Sequence, residues 1–148
     1  MLTVNKLLQG KKTNMVYHVS PQDMVIDALE LMARKNIGAV MVMDGDQLIG
    51  IFSERDYARK GIIQGRKAKS TPVTEVMTAN VFTVTPEMNN EDCMQLFSDK
   101  NFRHLPVVTR KGEVLGMLSI SDIVSAIMRE QKEHIHFLEH YISGSLVQ

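Results

Sequence analysis

Apolar and polar residues follow strand and helix periods in an order that occurs twice. In the first half, a short strand around Met15–Val19 precedes a helix whose apolar residues fall at helical spacing: Val25, Ala28, Leu29 and Met32. A β-rich run at 39–43 and a second apolar strand ending at Phe52 follow, with a helix beginning after Ser53. The pattern predicts the order β-α-β-β-α.

The second half repeats this order. A strand at Val81–Val84 precedes a helix that carries Met94 and Phe97, and a β-rich run follows at Leu105–Val108. The last strand ends at Leu118, and a helix begins after Ser119. The prolines after the first strands (Pro21 and Pro86) are 65 residues apart, and the glycines of the last strands (Gly50 and Gly116) are 66 apart. One extra turn residue accounts for the difference, and loops tolerate such insertions.

The repeat predicts the domain organisation. One unit of about 60 residues forms only a marginal core. We therefore expect an α/β (α+β) fold in which two units pack with pseudo-two-fold symmetry. The predicted division is residues 1–65 for the first repeat with the N-terminal segment, 66–74 for a linker, 75–130 for the second repeat, and 131–148 for a C-terminal helix extension. Arg66, Lys67 and Lys69 of the linker could form a phosphate or nucleic-acid patch, but the polar composition of the segment favours a solvated linker.

The last helix is predicted to run past its own repeat, to about Tyr141. Ile123, Ile127, Leu138 and Ile142 lie near one of its faces, together with Glu130 and His134. Such a stripe on a helix longer than its repeat requires predicts a homodimer.

Composition narrows the function classes. The 148 residues are 44% hydrophobic and 23% charged, as in soluble globular proteins. The formal net charge is +0 and aromatic residues make up 5%, which argues against a nucleic-acid binder acting through Arg66, Lys67, Lys69, Arg103 and Arg110. No apolar run approaches the roughly 18 residues that span a bilayer. Residues 1–13 show neither a secretory nor a mitochondrial pattern, and the single cysteine, Cys93, fits plain packing, so we expect a cytoplasmic location.

The most specific local signal is a Ser-x-x-Asp motif at the end of each repeat's last strand. The two copies are Ser53 with Asp56 and Ser119 with Asp122. A helix cap explains both residues without any ligand. A helix N-terminus is also an anion site, and an aspartate one turn further on could accept both hydroxyls of a ribose. The spacing alone leaves both interpretations open.

From about Met15 to Met128 the chain resembles a pair of CBS domains (cystathionine-β-synthase domains), also called a Bateman module, of the small stand-alone type. The residues that carry the resemblance are Gly50-x-x-Ser53-x-x-Asp56, Gly116-x-x-Ser119-x-x-Asp122, the Val-x-Pro starts at Val19 and Val84, and the strand starts at 37–42 and 102–107.

The resemblance implies that adenine nucleotides bind in the clefts between the repeats. The aspartates would hold ribose, the serines phosphate or ribose, and Arg55, Arg103 and His104 phosphate. The implied ligand-binding set is Gly38, Ala39, Val40, Ser53, Arg55, Asp56, Ala79, Val81, Arg103, His104, Leu105, Pro106, Ser119, Ile120, Ser121 and Asp122. By the same analogy, a nucleotide on Asp122 would lie against Gly38 and Ala39, and Asp56 would face Arg103 and His104. AMP is the expected ligand, with ADP, ATP, NAD(H) and S-adenosylmethionine as alternatives.

Catalytic and metal-binding motifs are not found in the sequence. It lacks a Gly-x-Ser-x-Gly elbow, a phosphate-binding Gly-x-x-x-x-Gly-Lys loop and a Gly-x-Gly-x-x-Gly turn. His134, His136 and His140 are close together, but a solvated helix face explains them better than zinc. We therefore expect a non-enzymatic nucleotide sensor that acts on a separate protein, with no obligatory cofactor, metal, nucleic-acid or membrane partner. The alternative is a ligand-free interaction scaffold acting through the C-terminal helix and the dimer surface.

Overall fold

The computed structural model describes residues 2–11 and 16–147, with side chains through residue 143. A helix that the hydrophobic pattern did not predict comes first, α1 (Val4–Gln9). The first repeat then contains β1 (His18–Val19), α2 (Val25–Lys35), β2 (Ala39–Asp44), β3 (Gln47–Ser53), α3 (Glu54–Asp56) and a π-helical turn (Tyr57–Ile62). The predicted strand around Met15–Val19 is therefore shorter in the described residues, and Met15 itself lies outside them.

The second repeat follows a short 3-10 turn at Val73–Glu75. Its elements are α4 (Asn90–Lys100), β4 (His104–Val108), β5 (Val114–Ser119) and α5 (Ile120–Val147). The predicted strand at Val81–Val84 is not formed as a strand: only Val84 pairs, in a single parallel bridge with Val107. That bridge stands where the two-residue β1 pairs in parallel with β2 in the first repeat.

Capping residues mark the start of α4 and the ends of α2 and α4. Asn89 accepts a hydrogen bond from the Asp92 amide, and the Asp92 carboxylate accepts one from the Asn89 amide, which is a capping box at the start of α4. Helices α2 and α4 both end at an asparagine in the left-handed conformation, Asn36 (φ 54°) and Asn101 (φ 59°). Asparagine tolerates this conformation better than most residues. The two asparagines are 65 residues apart, so the two repeats share this backbone conformation at equivalent positions.

Each repeat forms an antiparallel strand pair with matching register. Ala39 pairs with Ser53 in the first repeat, and His104 pairs with Ser119 in the second. Both pairs also have a bulge near the outer end of the sheet. The structure thus confirms the α+β architecture of two equivalent repeats and the long C-terminal helix, with the first strand of the second repeat reduced to the Val84–Val107 bridge.

Each repeat has its own apolar core, and a segment from outside the predicted repeat completes it. Val73 and Val76 are fully buried in the first core, next to Phe52. Val4 and Leu7 of α1 are buried in the second core. The prediction that residues 1–65 form one unit with the N-terminal segment is therefore wrong for that segment, because its apolar side chains pack on the second repeat.

The two completing segments are equivalent to each other. The Val73 amide donates to the Asp23 carbonyl at 2.9 Å, and the Val4 amide donates to the Met88 carbonyl at 2.7 Å. Asp23 and Met88 are 65 residues apart, the offset of the repeat. The predicted linker at 66–74 is thus exposed at Arg66, Lys67 and Lys69 but docks onto the first repeat at its end, where Thr71 is buried.

Helix α5 is 28 residues long, and its described side chains are exposed after its first two turns. Ile123 is fully buried, whereas every side chain described from Met128 to Ser143 is exposed. At 1.5 Å per residue, the stretch from 128 to 147 extends about 30 Å.

Candidate functional site

A cavity of about 590 Å³ lies between the two repeats. Its volume is within the roughly 300–1,000 Å³ that small-molecule sites occupy. The first repeat contributes the end of α2 and the start of β2, and the second contributes β4, β5 and the first turns of α5. The N-terminal segment contributes Leu7, Leu8, Gly10 and Lys11. Because both repeats form its walls, an occupant of this cavity would contact both of them.

Asp122 lies on the second repeat's wall, one turn into α5. Its Oδ2 accepts a hydrogen bond from the Ser119 amide at 2.8 Å, and its own amide donates to Ser119 Oγ at 3.1 Å. This pair is the helix cap that the Ser-x-x-Asp spacing predicts. Ser119 Oγ is also 3.0 Å from Ser121 Oγ, so two hydroxyls stand beside the carboxylate.

Helical spacing brings two further side chains to the same wall. Ser125 and Arg129 follow Asp122 at three and seven residues, which places all three on one face of α5. The Arg129 guanidinium lies beside the N-terminal segment: a Cβ added to Gly10 would be 3.4 Å from Arg129 Nη2.

Lys11 forms an ion pair with Asp122. Its Nζ is 3.0 Å from Asp122 Oδ2 and donates to the Met117 carbonyl at 2.6 Å. Both side chains are about a quarter exposed, so the pair stands at the cavity surface and not in the core. Burial raises the pKa of Asp122, but the hydrogen bonds from Ser119 and Lys11 and the charge of Lys11 outweigh it, so the net shift is downward. Asp122 therefore stays ionised.

The cavity lining carries more positive than negative charge. Lys11, Lys35 and Arg129 are cationic, and Asp122 supplies the carboxylate. His104 also lines the cavity, and burial lowers its pKa despite the opposing effect of Asp122. His104 is therefore neutral at pH 7, and its ring offers a hydrogen bond without a full charge. The excess of cations favours an anionic occupant.

The first repeat contributes a wall with little side-chain bulk. Gly38 and Ala39 line the cavity, and a Cβ added to Gly38 would lie 3.9 Å from His104 Cε1. The small strand start of the first repeat and the histidine of the second thus face each other across one cavity. For His104, the expectation that the basic strand start serves Asp56 is wrong, because this ring lies with Asp122.

The first Ser-x-x-Asp motif has a different environment. Asp56 Oδ2 accepts from the amide of Ser53 at 2.9 Å and from its hydroxyl at 3.0 Å. Oδ1 accepts from Thr78 Oγ1 at 3.2 Å and is 3.4 Å from Lys60 Nζ. Both oxygens are engaged by the protein, and only 14% of the side chain is exposed.

The structure brings six of the residues implied by the resemblance to the cavity and places the others elsewhere. The six are Gly38, Ala39, His104, Ser119, Ser121 and Asp122. Among the described residues, those of the set that do not line it are Val40, Ser53, Arg55, Asp56, Ala79, Val81, Arg103, Leu105, Pro106 and Ile120. Val40, Leu105 and Pro106 are buried side chains of the strands.

Several residues that line the cavity were not predicted from the sequence. Ser125 and Arg129 could have been found from their helical spacing after Asp122. Lys11, Tyr17 and Lys35 give no such signal, because their positions depend on how the N-terminal segment and the end of α2 pack against the second repeat.

The described residues contain neither a candidate membrane span nor a metal-binding cluster. No helix in that part of the chain is long and apolar enough to cross a bilayer. No group of three or more His, Cys, Asp or Glu side chains there is arranged to hold a metal ion.

Comparisons with known proteins agree with this architecture. The family model described as the CBS domain matches residues 13–62 and 73–129. A mitochondrial CBS domain-containing protein of Arabidopsis thaliana, CBSX3, is 46% identical over 127 residues, which is 82% of this chain and 61% of that protein. The chain therefore spans somewhat less than two thirds of that relative's length.

Solved structures show the same fold. The structure of a protein with CBS domains from Burkholderia ambifaria MC40-6 has a TM-score of 0.84 and 44% identity, covering 87% of this chain and 96% of that one. The crystal structure of CBSX2 in complex with AMP has a TM-score of 0.73 and 28% identity, covering 88% of this chain and 99% of that one. With two matched segments, two equivalent strand pairs and two Ser-x-x-Asp caps, the chain belongs to the CBS domain family.

Proposed function

We propose that this protein is a non-catalytic regulatory module that binds an adenine nucleotide, AMP in the first place, in the cavity between its repeats. The observation that carries the proposal is the position of Asp122. It is an ionised carboxylate beside the first turn of a long helix, inside a ligand-sized cavity lined by three cations.

Each part of a nucleotide has a complementary group in this cavity. The Asp122 carboxylate can accept hydrogen bonds from a ribose diol. Lys11, Arg129 and the two serine hydroxyls at the start of α5 can bind a phosphate, which the helix N-terminus also favours. Gly38 and Ala39 have little side-chain bulk, which leaves space in the cavity for the base or sugar.

A relative supports the choice of ligand. CBSX2, which shares the fold and 28% of the aligned residues, has been crystallised in complex with AMP. Because ADP, ATP, NAD(H) and S-adenosylmethionine also present a ribose diol, they are the alternatives. S-adenosylmethionine is the least favoured, since its sulfonium adds positive charge to a lining that is already cationic.

Regulation would follow from the two-sided cavity. A ligand that contacts both repeats stabilises the arrangement in which both contacts are made, and it shifts the population toward that arrangement. The regulated target would be a separate protein, and the setting we propose is the cytoplasm.

A thermal-shift panel tests the proposal. A ligand at 100 times its Kd adds about 2.7 kcal/mol to the free energy of unfolding, which is several degrees in a domain of this size. AMP should raise the Tm of the wild-type protein, and 2′-deoxy-AMP should raise it much less. ADP, ATP, NADH and S-adenosylmethionine rank the alternatives. Equal shifts with AMP and 2′-deoxy-AMP, or no shift with any nucleotide, would contradict the proposed ribose contact.

We also propose that α5 forms a homodimer with α5 of a second copy. Exposed residues of α5 recur in steps of four and three, which is the spacing of a coiled-coil seam. They are Val124, Met128, Gln131, Ile135, Leu138 and Ile142. Met128 is 63% exposed and Ile135 is 55% exposed. Most of the stability of a helix in a protein comes from packing of its apolar face, so a partner helix is expected to stabilise the exposed part of α5.

Charge favours an antiparallel pair of copies. When Ile135 of one chain opposes Leu138 of the partner subunit, Lys132 lies near Glu139 of the partner subunit, and the two-fold axis makes this ion pair twice. The same apolar seam is the observation that favours the alternative function, a scaffold that binds a different protein without a nucleotide.

Light scattering distinguishes a second copy of this chain from a different protein as the partner of α5. The wild type should have about twice the 16.7 kDa chain mass, and Leu138→Glu should be monomeric because it places a charge in the seam. His140→Glu adds a charge outside the seam on the same helix and should remain dimeric. A monomeric wild type with no nucleotide response would support the scaffold instead.

A further inference from the structure

Lys11 occupies one oxygen of the carboxylate that the proposed function assigns to ribose. Its Nζ and the Ser119 amide both bind Asp122 Oδ2. Two oxygens are needed to accept a ribose diol, so a nucleotide has to compete with Lys11 for Oδ2. In the free protein, the Lys11 ammonium therefore takes one of the positions that the ribose hydroxyls would occupy on Asp122.

The position of Lys11 is set by packing, and its side chain is the movable part. Residues Val4, Leu7 and Leu8 of α1 are buried in the second core, and they fix the segment that carries Lys11. The Lys11 amide donates to the Leu8 carbonyl at 3.2 Å, which holds the backbone one turn beyond α1. The lysine side chain is long, and it is 25% exposed. Its ammonium can shift by several ångströms while the backbone stays docked.

A second cation lies next to this pair. Arg129 Nη2 approaches Gly10, the residue before Lys11, and both basic residues line the cavity. A ligand phosphate between Lys11 and Arg129 would replace Asp122 as the partner of the lysine. A ligand without a phosphate would break the same ion pair and give the lysine nothing in exchange.

The first repeat shows that this arrangement is not a general feature of the fold. The segment 72–78 is equivalent to the N-terminal segment, and it presents Thr78 Oγ1 to Asp56 at 3.2 Å. A neutral hydroxyl thus stands there, and the cation at Asp56 comes from Lys60 of its own helical turn. Of the two segments, as far as the described residues go, only the N-terminal one brings a lysine to the aspartate of the repeat that it completes.

We infer that Lys11 is the specificity-determining residue of the site: it pairs with Asp122 in the free protein and transfers to the ligand's phosphate on binding. The inference rests on the proposed function. It makes the site selective for ligands that carry a phosphate on the ribose over neutral nucleosides, and it links ligand binding to the side chain that follows α1.

Calorimetric titration of AMP and adenosine tests this inference. The variant is Lys11→Met, which keeps most of the aliphatic chain and removes the charge. Loss of the charge-assisted contact should weaken AMP binding by about tenfold or more. Adenosine should bind the variant at least as well as the wild type, because its competitor for Asp122 is gone. The preference for AMP over adenosine should therefore fall by more than tenfold.

Two further variants control the experiment. Lys6→Met removes a charge from an exposed position of α1 and should leave the preference unchanged. Lys11→Arg keeps the charge and should restore most of the preference. An unchanged AMP-to-adenosine ratio in Lys11→Met would overturn this inference alone. A wild type that binds neither compound would overturn the proposed function and this inference together.

Discussion

The two Ser-x-x-Asp motifs have the same local geometry and different surroundings. In both, the aspartate accepts a hydrogen bond from the serine amide and caps the helix that follows. Asp56 has both oxygens engaged, by Ser53, Thr78 and Lys60. Asp122 makes its contacts with Ser119 and Lys11 through Oδ2 and lines the cavity.

The difference arises from the segment that packs beside each motif. Residues 72–78 run closely along β3, where Thr78 and Ile51 exchange backbone hydrogen bonds at 2.8 and 3.0 Å. The N-terminal segment forms α1 instead and approaches β5 through side chains. The first repeat therefore covers its aspartate, and the second leaves space beside its own. A helix cap and a ligand site are thus compatible uses of one motif, and the neighbouring segment decides between them.

Two glycines give the largest expected difference in stability between the repeats. A Cβ at Gly50 would contact the Met77 side chain and lie 3.1 Å from the Thr78 backbone oxygen. A Cβ at Gly116 would meet Leu8 Cδ2 at 2.9 Å, and that methyl can move. Gly50→Ala should lower the free energy of unfolding by about 1–3 kcal/mol, and Gly116→Ala by less. Urea denaturation measures both, and an equal or reversed ranking would contradict the closer docking of residues 72–78.

The aspartates themselves should differ less, and in the same direction. Asp56→Asn disturbs a side chain that is 14% exposed and bound at both oxygens, so it should cost about 1–3 kcal/mol. Asp122→Asn disturbs one that is 27% exposed, and it should cost about 1 kcal/mol or less. Asparagine retains an oxygen for the serine amide in both variants. Thermal unfolding without nucleotide compares the two variants. A larger loss of stability in Asp122→Asn than in Asp56→Asn would contradict the more structural role of Asp56.

The smallest expected effect is a pH dependence confined to the second repeat. Burial lowers the pKa of His104 below its usual 6.5, so the unfolded chain binds more protons than the folded chain as the pH falls through that range. The contribution of the neutral ring is present above pH 6.5 and is lost as the pH falls through the lowered pKa. Ala39 stands at the equivalent position of the first repeat and does not titrate.

His104→Gln is the variant for this measurement. Its urea midpoint should fall less between pH 7.5 and pH 5.5 than the wild-type midpoint does. If wild type and variant lose the same stability over this interval, the buried ring of His104 does not account for the pH dependence.

Most of the fold could be predicted from the sequence because the same pattern of elements occurs twice along the chain. The Ser-x-x-Asp spacing, the helix periods and the 65-residue offset each recur, so one half checks the other. What the sequence could not show is where residues 2–11 and 72–78 dock. Apolar residues such as Val4 and Val73 are buried against partners that are distant in sequence, so the pattern within each segment does not show where it docks.

The candidate site also has a part that the sequence predicts and a part that depends on tertiary packing. The helix start with Ser119, Ser121 and Asp122 is a local feature, and a motif can specify it. Lys11 reaches Asp122 from 111 positions earlier in the chain, and only tertiary packing brings the two together. The same packing leaves Asp56 covered by Thr78, so two identical motifs could not be ranked from sequence.

The most direct test of the central claim is a calorimetric titration of AMP into the wild type, Asp122→Asn and Asp56→Asn. The ribose contact at Asp122 is charge-assisted, and losing it should weaken AMP binding by about 10- to 100-fold. Asp56→Asn, corrected for any loss of folded protein, should bind AMP as the wild type does. Wild-type affinity in Asp122→Asn, with weakened binding in Asp56→Asn, would contradict the assignment of the site to the second motif.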